Sequence, residues 1–483
     1  MQLYNSLTRK KEQFTPLNAG AVNMYVCGIT AYDYCHIGHA RSALVFDVMV
    51  RYMQSKGLDV NFIRNFTDVD DKIINRANKE NRDWREVANT YIDAFHEDMD
   101  RLGVLRATAE PRATNYIQEM QDMCSHLIAQ GKAYATPSGD VYFKVRAYPP
   151  YGKLSGRTLD ELQAGARVAL GEEKQDPLDF ALWKSAKPDE PFWESPWGKG
   201  RPGWHIECSA MNSPFLPLDI HGGGLDLIFP HHENEIAQSE AATGKELAKF
   251  WVHNGFVQVD SEKMSKSLGN FKTIRDILQS YLPETLRFFL LSKHYRSPID
   301  FTGDSMVEAE KAQKRVYEAL LDAAKAAERA SWKKTALPAA LVEEFDSLAQ
   351  SFDAAMEDDF NSASAIGHIF ALVRLVNRLL EDKSTRAAEQ TRDLLARFST
   401  LMAQWSVVLG VFGQEPAAFL AALRAQQAQR LGLDINTVEK LMQARLEARK
   451  AKDFALSDAL RDELAALGVA IRDTPEGTVW DIA

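Results

Sequence analysis

The sequence predicts an α/β protein with a doubly wound parallel sheet, and three observations support this prediction. Short apolar segments typical of strands alternate with helical patterns in the first part of the chain. Polar or glycine-rich turns follow two of these strand segments. After Asn270 the composition shifts towards long segments with helical periodicity. Strands that alternate with helices imply a parallel sheet covered by helices on both faces.

The elements of the sheet are predicted in three strand–helix pairs. In order, they are a strand over residues 24–26, a helix over 40–53, a strand over 60–65, a helix over 70–85, a strand over 218–221 that leads into three glycines, and a helix over 231–242.

A segment with a different residue pattern separates the second strand–helix pair from the third. Residues 139–151 alternate as in a hairpin, and residues 188–202 are rich in proline, tryptophan and glycine. We therefore predict an inserted connective domain over residues 123–199, which splits the sheet domain into residues 1–122 and 200–304.

Helices dominate the rest of the chain. They are predicted over residues 305–330, 339–355, 362–381 and 385–405, with Asn361 or Ser362 as an N-cap. We predict a helical bundle over residues 305–410 and a small C-terminal α/β domain over residues 411–483, which ends in a hairpin around residues 475–477.

Bulk composition narrows the class of protein. No stretch approaches ~20 consecutive apolar residues, and the charged N-terminal segment lacks a signal-peptide pattern, so we expect no membrane partner. Four cysteines in 483 residues do not make a disulfide framework, which predicts a cytoplasmic protein with free or metal-bound thiols.

The net charge of −10 does not exclude nucleic acid, because six basic and three acidic residues between positions 440 and 461 leave a local charge of +3. Charge alone favours a solvated helix face there.

Two histidines flank a glycine where the first predicted helix begins. His36 and His39 are three residues apart, so both lie on one side of the first turn, where a helix N-terminus already favours anions. Gly38 has no Cβ, which lets a nucleotide approach its backbone. These residues are candidates for binding ATP. A pair of surface histidines is the alternative, and these residues alone favour it.

Two lysines three residues apart form a second candidate for the phosphates. Lys263 and Lys266 lie in a small, polar segment, which is suited to closing over a triphosphate and stabilising negative charge. An exposed lysine-bearing hairpin is the alternative. A third element, residues 219–226, ends in glycines at a predicted strand end, where Gly223 leaves room for a nucleotide and Asp226 is placed to accept from ribose hydroxyls. A tight turn explains the glycines equally well.

A possible metal set lies around these motifs. Cys27 ends the first strand, Cys208 lies in the second half, and His231 and Glu235 are four residues apart on one helix face. Two thiolates, an imidazole and a carboxylate suit Zn²⁺. No pair has a zinc-finger spacing, and an isolated cysteine is more often a small buried apolar residue.

Together these peptides resemble the signatures of class I aminoacyl-tRNA synthetases. Residues 27–30 ahead of His36, residues 203–208 and residues 229–235 are similar to the cysteinyl-tRNA synthetase family. The resemblance implies a Rossmann-like catalytic domain, Mg²⁺ bound with ATP, and L-cysteine, ATP and tRNA(Cys) as partners of a monomer. It also implies that the helical bundle binds tRNA and that the C-terminal domain reads the anticodon.

The resemblance also implies roles for individual residues. Cys27, Cys208, His231 and Glu235 bind one zinc ion, which recognises the thiol of the substrate, and Gly28, Thr30, Thr67 and Trp204 line the cysteine pocket. His36, His39, Lys263 and Lys266 are the catalytic residues. Four protein ligands already complete a tetrahedron, so substrate binding requires a fifth position or the release of one ligand. Glu235, the hardest donor, is the candidate for release.

The chemistry implied has two steps. The cysteine carboxylate attacks the α-phosphate of ATP, which gives cysteinyl adenylate and pyrophosphate, and a ribose hydroxyl of the terminal adenosine of tRNA then attacks the adenylate. In the tail, basic residues such as Arg445 are expected to meet phosphates, and Trp480 to stack on a base or to serve as a core tryptophan. Two alternatives stay open. One is a related ligase that joins cysteine to an amino sugar, and the other is a non-catalytic tRNA-binding paralogue.

Overall fold

The computed structural model describes residues 1–165, 173–263, 271–474 and 477–482. The described strands are β1 (Gln2–Asn5), β2 (Lys10–Gln13), β3 (Ala21–Thr30), β4 (Asp59–Thr67), β5 (Ala133–Ala135), β6 (Val141–Phe143), β7 (Phe180–Ser185), β8 (Gly200–Pro202), β9 (Leu218–Gly224), β10 (Ala248–Asn254), β11 (Val257–Val259), β12 (Glu262–Lys263), β13 (Ile299–Phe301), β14 (Val469–Thr474) and β15 (Gly477–Ile482).

The described α-helices are α1 (Ile37–Ser55), α2 (Asp71–Glu80), α3 (Trp84–Arg101), α4 (Ile117–Ala129), α5 (Leu159–Gly165), α6 (Trp204–Asn212), α7 (Glu233–Thr243), α8 (Ile274–Ile277), α9 (Pro283–Leu291), α10 (Gly303–Ala327), α11 (Ala339–Glu357), α12 (Ser362–Glu381), α13 (Glu389–Leu409), α14 (Pro416–Leu431), α15 (Ile435–Lys450) and α16 (Phe454–Ala466). A π-helical turn over Ile228–His232 directly precedes α7. The chain forms two compact units. The first comprises residues 1–274, 290–300 and 351–366, and the second comprises residues 275–289, 301–350 and 367–483.

A four-stranded parallel sheet is the centre of the first unit, which confirms the predicted α/β fold. Its strand order is β10–β9–β3–β4, and in the middle of the sheet Val26 pairs with Arg64 on one side and Gly222 on the other. Strand β3 has β4, the next strand of the sheet along the chain, on one side and β9, from the second half of the domain, on the other. Ligands of such sheets bind at the carboxyl ends of the strands where the strand order reverses, and that position is the carboxyl end of β3 and β9.

The helix predicted over residues 70–85 is wrong as a single element, because the chain breaks it into α2 and α3. Asn81 adopts a left-handed conformation with φ of 52° and ends α2. Asp83 then caps α3 by accepting a hydrogen bond from the backbone N–H of Arg85 at 2.8 Å. Asparagine tolerates the left-handed region and aspartate is a favoured N-cap, so two local signals outweigh the continuous polar–apolar pattern.

Gly222, the first of the three glycines that end β9, makes room for a helix. An added Cβ at Gly222 would lie 2.4 Å from the ring of Phe46, which is buried on α1. An added Cβ at Gly223 would lie 2.8 Å from the side chain of Leu227. The sequence predicts that these glycines leave room for a ligand. Gly222 instead allows α1 to pack closely against β9.

Gly222→Ala is expected to destabilise the first unit. Overpacking of a core by one methyl group costs about 1–3 kcal/mol, and we expect the melting temperature to fall by about 3–10 °C. Gly367→Ala is the matched control, since an added Cβ there meets no described heavy atom within 4 Å, and alanine is the better helix former. Thermal unfolding followed by circular dichroism measures both variants, and an unchanged transition in Gly222→Ala would contradict the packing role.

An antiparallel sheet with strand order β5–β6–β7–β8 lies in the part of the chain between the two halves of the parallel sheet. Its core includes Phe143, Leu182 and Trp183, all fully buried. This arrangement is compatible with the predicted insertion, whose boundaries at residues 123 and 199 stay a prediction.

The second unit is mainly helical. The helix predicted over residues 362–381 has the bounds of α12, and Asn361 rather than Ser362 caps it by accepting from the N–H of Ser364 at 3.0 Å. By length and composition α12 is apolar enough to cross a bilayer. Its apolar side chains Ile369, Leu372, Val376 and Leu379 are instead buried in the protein, as in a core helix.

Helix α14 has no counterpart in the predicted elements. Glu415 caps it and Pro416 is its first residue, which are ordinary start signals. An ion pair between Arg430 and the fully buried Glu310 of α10, 2.7 Å long, anchors its last turn. The alanine- and glutamine-rich segment shows little apolar periodicity, so the sequence pattern alone does not reveal it.

The C-terminal tail forms two helices and a hairpin, as predicted, with the turn residues 475 and 476 outside the described residues. Trp480 is 9% exposed and packs with Val438, Leu464 and Val469 in a small core. Arg445 is also buried and pairs with Asp473. Of the two alternatives for Trp480, the structure supports the core tryptophan. The expectation that Arg445 meets phosphates is wrong, because its side chain is buried within this domain.

Candidate active site

A cavity of about 390 Å³ opens at the carboxyl ends of the parallel strands. The predicted site residues that line it are Cys27, Gly28, His36, Gly38, His39 and Asp226. Another part of its wall is formed by Asn254, the last residue of β10, and by Gly255 and Phe256, which follow it. The structure thus brings the first histidine motif and the residues after β9 to one cavity, at the switch point of the sheet.

The two histidines at the start of α1 cap the helix. The Nδ1 atom of His36 accepts a hydrogen bond from the backbone N–H of Gly38 at 3.0 Å, and the Nδ1 atom of His39 accepts from the N–H of His36 at 3.2 Å. The rings stack with their centroids 3.7 Å apart. Because Nδ1 is the acceptor in both neutral rings, each ring carries its proton on Nε2. Capping therefore sets the tautomer that donates from Nε2.

Other predicted nucleotide contacts are only partly described. Residues 264–270, which include Lys266, lie outside the described residues, and of Lys263 only the backbone in β12 is described. Gly223 lies in β9 beside the cavity-lining Gly224. The proposed roles of these residues stay predictions.

The four predicted metal ligands form one compact cluster. One ligand atom from each of Cys27, Cys208, His231 and Glu235 lies within 4.8 Å of all the others. The two sulfur atoms are 3.8 Å apart, and the Sγ of Cys27 is 3.4 Å from Oε1 of Glu235. The Nε2 of His231 is 3.0 Å from the same oxygen. Strand β3 provides Cys27, helix α6 provides Cys208, the π-helical turn over Ile228–His232 provides His231, and helix α7 provides Glu235, so the ligands are up to 208 positions apart in the sequence.

The ligand groups of this cluster shift one another's pKa values. The hydrogen bond from Cys27 lowers the pKa of Cys208 to about 6 despite its burial. Burial raises the pKa of Cys27 well above its usual value. Burial alone would lower the pKa of His231, but the negative charges of Glu235 and Cys208 outweigh it and raise the pKa to about 10. The cluster therefore concentrates negative charge on sulfur and carboxylate oxygen, and a bound cation would displace the remaining protons.

The donor set and its spacing fit zinc. Two sulfurs bound to a tetrahedral ion at about 2.3 Å lie about 3.8 Å apart, and the Sγ–Sγ distance is 3.8 Å. Two thiols, an imidazole and a carboxylate are ligands of the kind that zinc prefers. The other two cysteines, Cys35 and Cys124, are buried outside the cluster and form no disulfide among the described residues.

Three further histidines, which no sequence motif indicates, lie beside the cluster or one contact further out. The Nε2 of His221 is 2.8 Å from Oε2 of Glu235, the oxygen that does not face His231. His232 contacts His253, which contacts Ser6, each at 2.8 Å. Hydrogen bonds from such neighbouring side chains orient the residues that bind a metal. The only sequence signal is that His221 and His232 neighbour residues already singled out.

The predicted cysteine-pocket residues occupy different positions around the cluster. Trp204 begins α6, is 38% exposed, and stacks on His231 with ring centroids 4.2 Å apart. Thr67 is buried and donates to Glu207 at 2.7 Å. Gly28 lies against the backbone of Asn65, where an added Cβ would be 1.7 Å from the carbonyl oxygen. Thr30 pairs with Thr67 at the ends of β3 and β4 and is not among the residues that line the cavity.

A parallel sheet whose switch-point cavity receives two capping histidines has the architecture of a class I aminoacyl-tRNA synthetase. A family model supports this class, and solved structures share the fold. The fold is similar to that of methionyl-tRNA synthetase from Mycobacterium tuberculosis in complex with methionyl-adenylate, with a TM-score of 0.59 and 15% identity over 86% of this chain and 94% of that one. The family model for the class I (C) catalytic domain matches residues 13–311. A DALR domain model matches residues 351–413.

The chain belongs to the cysteine–tRNA ligase family. A model described as the cysteinyl-tRNA ligase anticodon binding domain matches residues 436–480. The chain is 71% identical over 482 residues to the cysteine–tRNA ligase of Desulfovibrio desulfuricans and 66% identical over 484 residues to that of Nitratidesulfovibrio vulgaris, with 100% of both chains covered in each case. It is therefore a ligase whose substrates are tRNA, ATP and an amino acid. The full-length relatives are cysteine–tRNA ligases, which favours this function over the amino-sugar ligase and the non-catalytic paralogue.

Proposed function

We propose that this chain activates L-cysteine with ATP to cysteinyl adenylate and then transfers cysteine to the 3′-terminal adenosine of tRNA(Cys). One observation carries the proposal, namely that Cys27 belongs both to the ligand cluster and to the wall of the cavity that contains His36 and His39. A thiol held at the cluster therefore lies beside the groups that bind a nucleotide. The chain acts as a cytoplasmic monomer in this proposal.

Cys27, Cys208, His231 and Glu235 would hold one zinc ion. Bound there, zinc lowers the pKa of a thiol and binds sulfur more strongly than a hydroxyl, which distinguishes cysteine from serine. The chain holds Glu235 from both sides, since His231 contacts Oε1 and His221 contacts Oε2. This second contact supports Glu235 as the ligand that yields when cysteine binds, because His221 retains the carboxylate.

Activation needs no general base. The cysteine carboxylate is ionised at neutral pH, because an α-carboxyl has a pKa of about 3.5. The chain therefore contributes orientation and charge stabilisation. The Nε2–H groups of His36 and His39 and the N-terminus of α1 face phosphate oxygens in this proposal, and Lys263, Lys266 and Mg²⁺ neutralise the triphosphate. Gly28, Thr30, Thr67 and Trp204 surround the amino acid, while Gly38, Gly223 and Asp226 contact the nucleoside.

Exposed cations of the C-terminal domain are candidates for the RNA backbone. Lys440, Lys450, Lys452 and Arg461 are exposed, and phosphates supply much of the affinity for RNA. They replace Arg445, which is buried, as the expected phosphate contacts.

ATP–pyrophosphate exchange tests the proposal most directly. Exchange is expected with cysteine and to be at least about 10²-fold slower with serine at equal concentration, because a zinc–thiolate bond has no equivalent for a hydroxyl. Charging of total tRNA with radiolabelled cysteine tests the second step. Exchange that is equally fast with serine would contradict selection by the cluster, and exchange without charging would contradict tRNA as acceptor.

A further inference from the structure

Asp359, between α11 and α12, has an unusual backbone for its residue type. Its φ is 63° and that of Phe360 is 48°, so two consecutive residues that are not glycine adopt the left-handed conformation. Such conformations are costly and persist where surrounding contacts hold them. The side chain of Asp359 is fully buried. A buried carboxylate is retained when several donors surround it.

Donors from two distant segments converge on this carboxylate. Oδ1 accepts from the backbone N–H of Tyr4 at 2.8 Å and from the hydroxyl of Tyr295 at 2.7 Å. Oδ2 accepts from Nε of Arg296 at 2.8 Å, and Nε2 of His294 is 3.5 Å away. Three of these four donors belong to the turn formed by residues 294–297, whose ends are joined by a 2.9 Å hydrogen bond from the N–H of Ser297 to the carbonyl of His294.

This turn supports one wall of the cavity. The N–H of Gly255 donates to the carbonyl of Tyr295 at 2.8 Å. An added Cβ at Gly255 would lie 2.6 Å from the carbonyl oxygen of Ser297, so the two backbones are in direct contact. Gly255 and Phe256 line the cavity. A shift of the turn therefore shifts these two residues.

The same turn is also held from the helix that carries the paired histidines. Arg41, fully buried on α1, donates through Nη2 to the carbonyls of His294 at 3.2 Å and Tyr295 at 3.3 Å, and it also contacts the carbonyl of Ser297. The turn thus links α1, the wall at Gly255 and the carboxylate of Asp359.

We propose that Asp359 is a positioning residue for the nucleotide: its carboxylate fixes the turn 294–297 and thereby the cavity wall at Gly255 and Phe256. This inference rests on the proposed function in assigning the cavity to ATP. The ligand cluster of Cys27, Cys208, His231 and Glu235 makes no hydrogen bond to this turn among the described residues. We therefore expect the effect of Asp359 to fall on ATP rather than on cysteine.

Asp359→Asn tests this role with little change in shape. Asparagine tolerates the left-handed region, so the backbone conformation is kept while the charge and one acceptor are lost. Loss of charged hydrogen bonds predicts an increase of about tenfold in KM for ATP in pyrophosphate exchange. KM for cysteine is expected to change little, whereas the melting temperature is expected to fall by a few degrees, because buried charge-assisted hydrogen bonds are lost. A merely structural role would instead lower the active fraction and leave both KM values unchanged.

Asp358→Asn is the matched control, because Asp358 is adjacent, half exposed and paired with Lys11 at 2.6 Å. It is expected to leave both KM values unchanged. Tyr295→Phe removes a single donor to Asp359 and is a second variant should Asp359→Asn fail to fold, with a smaller rise in KM for ATP. Equal KM for ATP in the folded variants, an equal rise in KM for both substrates, or failure of both variants to fold would overturn the inference. Calorimetric titration of the wild-type chain with ATP separates the two proposals, since absence of binding would contradict the assignment of the cavity itself.

Discussion

Cys208→Ser is expected to remove bound zinc and to reduce cysteine-dependent pyrophosphate exchange by about 10³-fold or more. A serine hydroxyl is a much poorer zinc ligand than a thiolate. Loss of the Cys208 thiolate therefore leaves three good donors for an ion that prefers four. The environment makes this position sensitive, because the hydrogen bond from Cys27 lowers the pKa of Cys208 and so favours the thiolate, the form that binds a metal. Metal analysis by mass spectrometry is expected to find about one zinc ion per wild-type chain and a small fraction of that in the variant.

Cys124→Ala controls for the loss of a buried thiol. Cys124 is fully buried in α4 and lies outside the ligand cluster, so zinc content and the preference for cysteine over serine are expected to stay at the wild-type level. A Cys208→Ser protein that retains stoichiometric zinc would show that the cluster is not the metal site. A zinc-free wild-type protein with full activity would refute zinc as the element that selects cysteine.

Local spacing made part of the site predictable from the sequence. His36 and His39 are near one another because a helix starts there. His231, in the turn before α7, and Glu235, in α7, are in contact because they are four residues apart. The α/β class followed in the same way from the order of strands and helices, and the solved structures confirm it. These relations depend on a few consecutive residues.

Contacts between distant strands were not predictable in this way. Tyr25 pairs with His221, 196 positions along the chain, only because β3 and β9 are neighbours in the sheet. That adjacency places His221 behind Glu235 and Phe46 against Gly222. The fixing of the turn 294–297 by Asp359 is another case, since the donors lie at least 63 positions away. Nothing in the local pattern of either segment indicates its partner.

His36→Asn is expected to separate the structural role of the first histidine from its catalytic one. Asparagine is a favoured N-cap and its side-chain oxygen takes the place of Nδ1, which accepts from the N–H of Gly38 at 3.0 Å. It provides nothing at the position of Nε2. We therefore expect a melting temperature close to that of the wild type and a fall in kcat for pyrophosphate exchange of about 10²–10³-fold, the cost of one donor to a developing negative charge.

His36→Ala is the matched comparison, since it removes both nitrogen atoms. It is expected to lose as much kcat as His36→Asn and in addition about 1 kcal/mol of stability through the lost cap. His39→Ala also removes the contact from its Nδ1 to the N–H of His36, 3.2 Å long, together with a ring stacked at 3.7 Å, so its loss of stability should be similar.

If His36→Asn kept wild-type kcat, the Nε2 donor would have no part in activation and His36 would serve only as a cap. If it instead lost stability as His36→Ala does, the capping geometry that sets the histidine tautomer would be wrong, and with it the reason for two histidines at the start of α1.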